Sequence, residues 1–129
     1  MEDFTTFELA KKLKEKGFPQ SPDFFNYSSY YDWDGLRKIH SLSNASVWFD
    51  PNISKDNIYF APTISQVLKW LREEKKLHIS IEYGYTEIPV WDFEIRLIGY
   101  YGRWWTDETY SSYEQATLAG IEYVLDNLI

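Results

Sequence analysis

His40 and His78 are the only histidines in this 129-residue sequence, and Cys is absent. A metal site built from several His or Cys ligands is therefore excluded within one chain, as are disulfides and thiolate nucleophiles. His78 falls on the polar side of an alternating stretch and reads as solvated. His40 is the better general base, with Ser41, Ser43, Asp32 or Asp34 as neighbours in the sequence, and it stands as the one weak catalytic candidate. Asp50, Asn52, Ser54 and Asp56 have the alternate spacing of the first ligands of a calcium loop. Lys55 stands where that loop needs Gly, however, and Ala61 where it needs a bidentate Glu, so the run reads as a polar turn. Paired carboxylates for glycoside chemistry cannot be picked out among so many Asp and Glu. No glycine-rich phosphate loop, nucleophile elbow or kinase signature is present. No metal or cofactor is expected, and the balance leans away from an enzyme.

The larger oddity is aromatic. Trp, Tyr and Phe make up 19% of the chain and concentrate in Tyr27 to Trp33 and in Tyr100-Tyr101-Gly102-Arg103-Trp104-Trp105. Adjacent strand residues face opposite sides, so an extended Trp104-Trp105 pair cannot enter one core, and one ring is a candidate for the surface. Exposed Trp and Tyr beside Arg suit a protein or sugar contact surface. Tyr30, Tyr31, Trp33, Arg103, Trp104 and Trp105 are accordingly the candidate binding residues, for a protein partner or for self-association.

The elements that must position these residues are legible in parts. Thr5 and Glu8 form a capping-box pair, with Phe4 and Leu9 as a hydrophobic staple, and predict a helix over 5–16 closed by Gly17 and Pro19. Residues 18–35 show no steady period and read as an ordered aromatic connection. Asp34-Gly35 is either a two-residue hairpin turn or the N-terminal cap of a short helix through Leu36, Ile39 and Leu42, with the hairpin preferred. Ser46–Phe49 and Asn57–Phe60 read as two short strands joined by a long loop. Thr63 and Gln66 predict a second helix over 63–75, with Ile64, Val67, Leu68 and Leu71 on one face. Leu77, Ile79, Ile81, Tyr83 and Tyr85 alternate with polar residues, as do Trp91, Phe93, Ile95 and Leu97, which predicts an antiparallel pair with one buried face. A third strand is expected within Tyr100–Trp105. A third capping box at Ser111 and Glu114 opens a last helix over 111–127, in which Ala116 and Gly120 would allow close approach to the sheet.

These elements define an α+β fold: one domain over 1–129, with an antiparallel sheet of three to five strands and helices mainly on one face. Residues 1–57 supply a helix, the aromatic connection and a first strand; 58–129 supply a strand and an α-β-β-β-α core unit. The net charge of −7 and the lack of a basic run argue against nucleic-acid and anionic-membrane binding. Without a signal sequence or a membrane-length apolar run, a soluble cytoplasmic protein is the expectation.

The order helix–strand–strand–strand–helix from Thr63 to Leu128 is similar to that of the double-stranded-RNA-binding domain. That family grips phosphates with a basic cluster at the start of its last helix, where this chain has Ser111, Ser112, Tyr113, Glu114 and Gln115. The resemblance implies topology rather than RNA binding. Phe60-Ala61-Pro62-Thr63 leading into Val67-Leu68-Lys69-Trp70-Leu71-Arg72-Glu73, the isoleucine-rich strand and Tyr113-Glu114-Gln115-Ala116 resemble a group of small proteins of gut bacteria and their prophages. The likeness covers the chain from about Phe60 onward, with the Thr5–Gly17 helix as a weaker match. It implies a mobile-element origin and carries no functional residues.

Overall fold

Thr6, one residue later than expected, caps the first helix. In the computed structural model α1 spans Phe7–Glu15, and the Thr6 hydroxyl accepts from the Leu9 amide at 3.2 Å. Thr5 is drawn instead into a buried clasp, where its amide and its hydroxyl both donate to the Pro62 carbonyl, at 3.0 and 3.1 Å. Beside this clasp Phe4 forms an antiparallel β-bridge with Thr63. The C-terminus of α1 closes as read: Gly17 adopts φ +93, its amide donates to the Lys14 carbonyl and that of Phe18 to Leu13.

The structure describes residues 4–20, 27–31, 37–41, 59–84, 87–88 and 90–129, with the backbone alone at 27–31 and 37–41. The chain divides into two compact units, Met1–Ile64 and Ser65–Ile129. In the first, β1 (Tyr27–Tyr31), β2 (Arg37–Ser41) and β3 (Tyr59–Phe60) form an antiparallel sheet in the order β2-β1-β3. The aromatic connection therefore contains a strand that its lack of alternation hid. The register Tyr31↔Arg37 bears out a hairpin and overturns the helical alternative through Ile39, but it does not fit the two-residue turn expected at Asp34-Gly35, which would pair Tyr31 with Lys38. The turn itself lies outside the described residues, as do Trp33, the strand expected at Ser46–Phe49 and the run Asp50–Asp56. The described pairing of β3 is with β1, Tyr30↔Phe60 and Tyr31↔Tyr59. The core of this unit gathers Leu9, Ala10, Leu13, Phe18 and Phe60, with Phe18 and Phe60 stacked at 5.9 Å. Gln20 ties it together, accepting from the Phe60 amide and donating to the Phe18 carbonyl.

The second unit has the expected α-β-β-β-α order. Helix α2 (Ile64–Glu74) buries Val67, Trp70 and Leu71. It leads into β4 (Leu77–Gly84), β5 (Val90–Leu97) and β6 (Arg103–Trp105), an antiparallel sheet in sequence order. The register Leu77↔Leu97, Ile79↔Ile95, Ile81↔Phe93 and Tyr83↔Trp91 places these predicted apolar residues on one face; Tyr85, expected with them, lies outside the described residues. Helix α3 (Tyr113–Asn127) covers that face with Ala116, Thr117, Gly120, Ile121, Val124 and Leu125. Its cap is Ser112 rather than Ser111, the hydroxyl accepting from the Gln115 amide at 3.1 Å. The Gly120 backbone sits so close to the sheet that an added Cβ would lie 3.0 Å from Ile79 Cγ2 and 3.3 Å from Phe93 Cγ. This is the close approach that the sequence predicts. Among the described residues no helix is long and apolar enough to cross a membrane.

Candidate functional site

The β5–β6 hairpin is shaped by its own backbone. The Leu97 amide donates to the Gly102 carbonyl at 3.0 Å and the Tyr100 amide to the Leu97 carbonyl at 3.2 Å, which closes the tip at Ile98–Gly102. A second tie, from the Ile98 amide to the Lys76 carbonyl at 2.7 Å, anchors the tip beside the start of β4. Tyr100 and Tyr101 ride on this tip, 75% and fully exposed.

The register then decides the tryptophans. Ile95↔Trp104 and Glu94↔Trp105 put Trp104 on the helix-covered face and Trp105 on the opposite, polar face. Trp104 is half-buried, whereas Trp105 leaves 60% of its surface in water. Trp104 reaches back over Gly102, where an added Cβ would stand 2.9 Å from its Cη2. Gly102 is thus the space that seats the inner ring.

On the polar face β4, β5 and β6 align His78, Arg96 and Arg103 in one row and Ser80, Glu94 and Trp105 in the next. The Glu94 carboxylate takes Arg103 Nη2 on Oε2 at 2.6 Å and Arg96 Nε on Oε1. Hydrogen bonds from Arg103 first and Arg96 second hold its carboxyl below the ordinary carboxylate range, and Glu94 in turn pushes the Arg103 guanidinium up. The Arg103 guanidinium also lies 5.5 Å from the centre of the Trp105 ring. Exposed pairs of both kinds are screened by solvent and add little to stability, so the arrangement chiefly orients the side chains. Alongside lies an open cleft of about 380 Å³ lined by His78, Arg96, Leu97, Ile98, Tyr100, Tyr101 and Arg103, with Gly99 and Gly102.

The structure thus brings Arg103, Trp104 and Trp105 together on β6, with Trp104 turned inward. Tyr30 and Tyr31 lie on β1 in the other unit, and His40 stands on β2 at the register position of Ser28. His78 is exposed, as its place in the alternation predicts. Among the described residues no three His, Asp or Glu side chains group as metal ligands.

A second aromatic group was not legible as a site. Tyr83, Trp91 and Tyr113 meet edge to face, with ring centres 5.1 and 5.6 Å apart, and Tyr83 and Tyr113 are each about half exposed. Tyr83, expected on the buried face, is therefore not buried. Alternation assigns a residue to a face but does not say how far along that face the helix reaches, and at this end of the strands Trp91 meets Tyr113, the first residue of α3. The one available signal was the change from Leu and Ile to Tyr toward the end of β4. Comparison with protein-family models, with curated proteins and with solved structures finds nothing that matches this chain.

Proposed function

We propose that this chain is a cytoplasmic, non-enzymatic protein-binding module of phage or prophage descent, which engages its partner through the surface of Tyr100, Tyr101, Arg103 and Trp105. The observation that carries this reading is Trp105, held in water at the edge of the sheet with Arg103 against its face. Covering an indole so exposed releases on the order of 2–4 kcal/mol. Trp, Tyr and Arg are also the residues that dominate binding energy at protein interfaces. Nucleic acid is the poorer fit, because residues 111–115 supply no cation where a phosphate grip would be needed and the chain carries a net −7.

The test separates the two tryptophans. Trp105→Ser and Tyr101→Ser are expected to keep the melting temperature of the parent and to lose partner capture, or self-association measured by light scattering. Trp104→Ser is expected to lower stability. If Trp105→Ser unfolds as readily as Trp104→Ser and binding is unchanged, the rings are scaffold and the reading fails.

A further inference from the structure

We propose that the cleft beside the β5–β6 hairpin docks an acidic segment of a partner protein, one carboxylate of that segment accepting from the guanidinium N–H groups of Arg96 and Arg103 that do not bind Glu94. The inference rests on the binding-module reading and adds the chemistry of the partner. The charge of the lining points to it: the chain holds 20 Asp and Glu against 13 Lys and Arg, yet the cleft is lined by two arginines and a histidine and by no acid.

Both guanidiniums already bracket one carboxylate, that of Glu94, so their spacing is matched to such a group. Glu94 takes one N–H from each among the described residues; a guanidinium has five, which leaves donors for a second carboxylate. Both arginine side chains are more than half exposed and so accessible to it. Leu97, Ile98, Tyr100 and Tyr101 give the neighbouring residues of a peptide an apolar and aromatic wall. With Glu94 cancelling one charge, the two arginines retain about one net positive charge, which suits a peptide and falls short of the several cations a nucleic-acid backbone requires. The open shape lacks the enclosure that a free small anion would need for tight binding.

The experiment is an amide NMR titration of the whole chain with a capped synthetic peptide of alternating Leu and Glu, the same peptide with Gln for Glu, and inorganic phosphate. The Glu peptide is expected to shift the amides of 96–105 saturably, more weakly as salt rises, with the Gln peptide roughly tenfold weaker. Arg96→Gln should weaken the Glu peptide roughly fivefold, while Glu94→Gln, which frees both arginines, should strengthen it roughly threefold. A merely structural role for the cluster would move both variants in the same direction. Equal binding of the Gln peptide, no shift at 96–105, or weakening by Glu94→Gln overturns the proposal, and phosphate binding as well as the peptide would assign the cleft to free anions instead. Should the Glu preference be absent while Trp105→Ser still abolishes partner capture, the acidic partner falls and the binding module stands. If neither ring substitution affects capture, the module reading falls whatever the peptide does.

Discussion

Replacing Gly120 with alanine sets two effects of opposite sign against each other. Alanine in a helix interior is favoured over glycine by about 1 kcal/mol. The new Cβ, however, would stand 3.0 Å from Ile79 Cγ2 and 3.3 and 3.4 Å from Phe93 Cγ and Cβ, so α3 must move off the sheet by a few tenths of an ångström. That movement disturbs the contact made by Ala116, Ile121 and Val124, all fully buried, and overpacking of this kind costs about 1–3 kcal/mol. The net expectation is destabilisation by about 0–2 kcal/mol for alanine and about 3 kcal/mol for leucine, whose three further carbons have no space to enter. Urea and thermal unfolding read both, with 1 kcal/mol corresponding to roughly 4 °C in a chain of this length. The partner atom is tested by repeating Gly120→Ala in an Ile79→Ala background. Removal of Cγ2 should recover at least about 0.5 kcal/mol of the loss as a coupling energy. An increase in stability on Gly120→Ala, of the size an exposed helical glycine would give, refutes the close approach.

The shifted caps predict that Thr6→Ala and Ser112→Ala each cost about 1 kcal/mol in unfolding free energy, while Ser111→Ala changes it by less than about 0.5 kcal/mol. Glu94 carries a pH prediction. Because its folded-state carboxyl is held low by Arg103 and Arg96, its stabilising share is present at neutral pH and is lost as the pH falls through that lowered value. In Arg103→Gln the Glu94 carboxyl, followed by carbon NMR, should titrate at higher pH than in the parent; an unchanged titration would remove the pairing. Gly102→Ala should displace the Trp104 indole, with its NMR resonances shifted and a stability loss of about 1–3 kcal/mol, since the added Cβ meets Trp104 Cη2 at 2.9 Å and Leu97 Cβ at 3.3 Å. Unaltered Trp104 signals would show that the ring packs elsewhere.

The Ile58-to-terminus part of the fold was legible because its periodicities are long and unbroken. Eight residues of alternation on β4 and seven on β5, from Trp91 to Leu97, and apolar spacing over α2 and α3, each encode a face. The Tyr27–Tyr31 strand was not, since Tyr-Ser-Ser-Tyr-Tyr alternates nothing, and only the pairing with β2 and β3 makes it a strand. Both cap displacements have one origin: Thr5-Thr6 and Ser111-Ser112 each offer two adjacent hydroxyls, and a local motif cannot choose between them. At the N-terminus the Pro62 carbonyl, 57 residues away, takes the first and leaves the second to cap.

The same division holds for the candidate surface. Sequence alone determined that Trp104 and Trp105 part to opposite faces of β6, because side chains alternate in any extended strand. Which ring stays in water was decided by the register Ile95↔Trp104 together with the side on which α3 packs. Nor could local spacing bring Glu94 to Arg103, or set His78, Arg96 and Arg103 in one row, since cross-strand neighbours are fixed by pairing rather than by proximity along the chain.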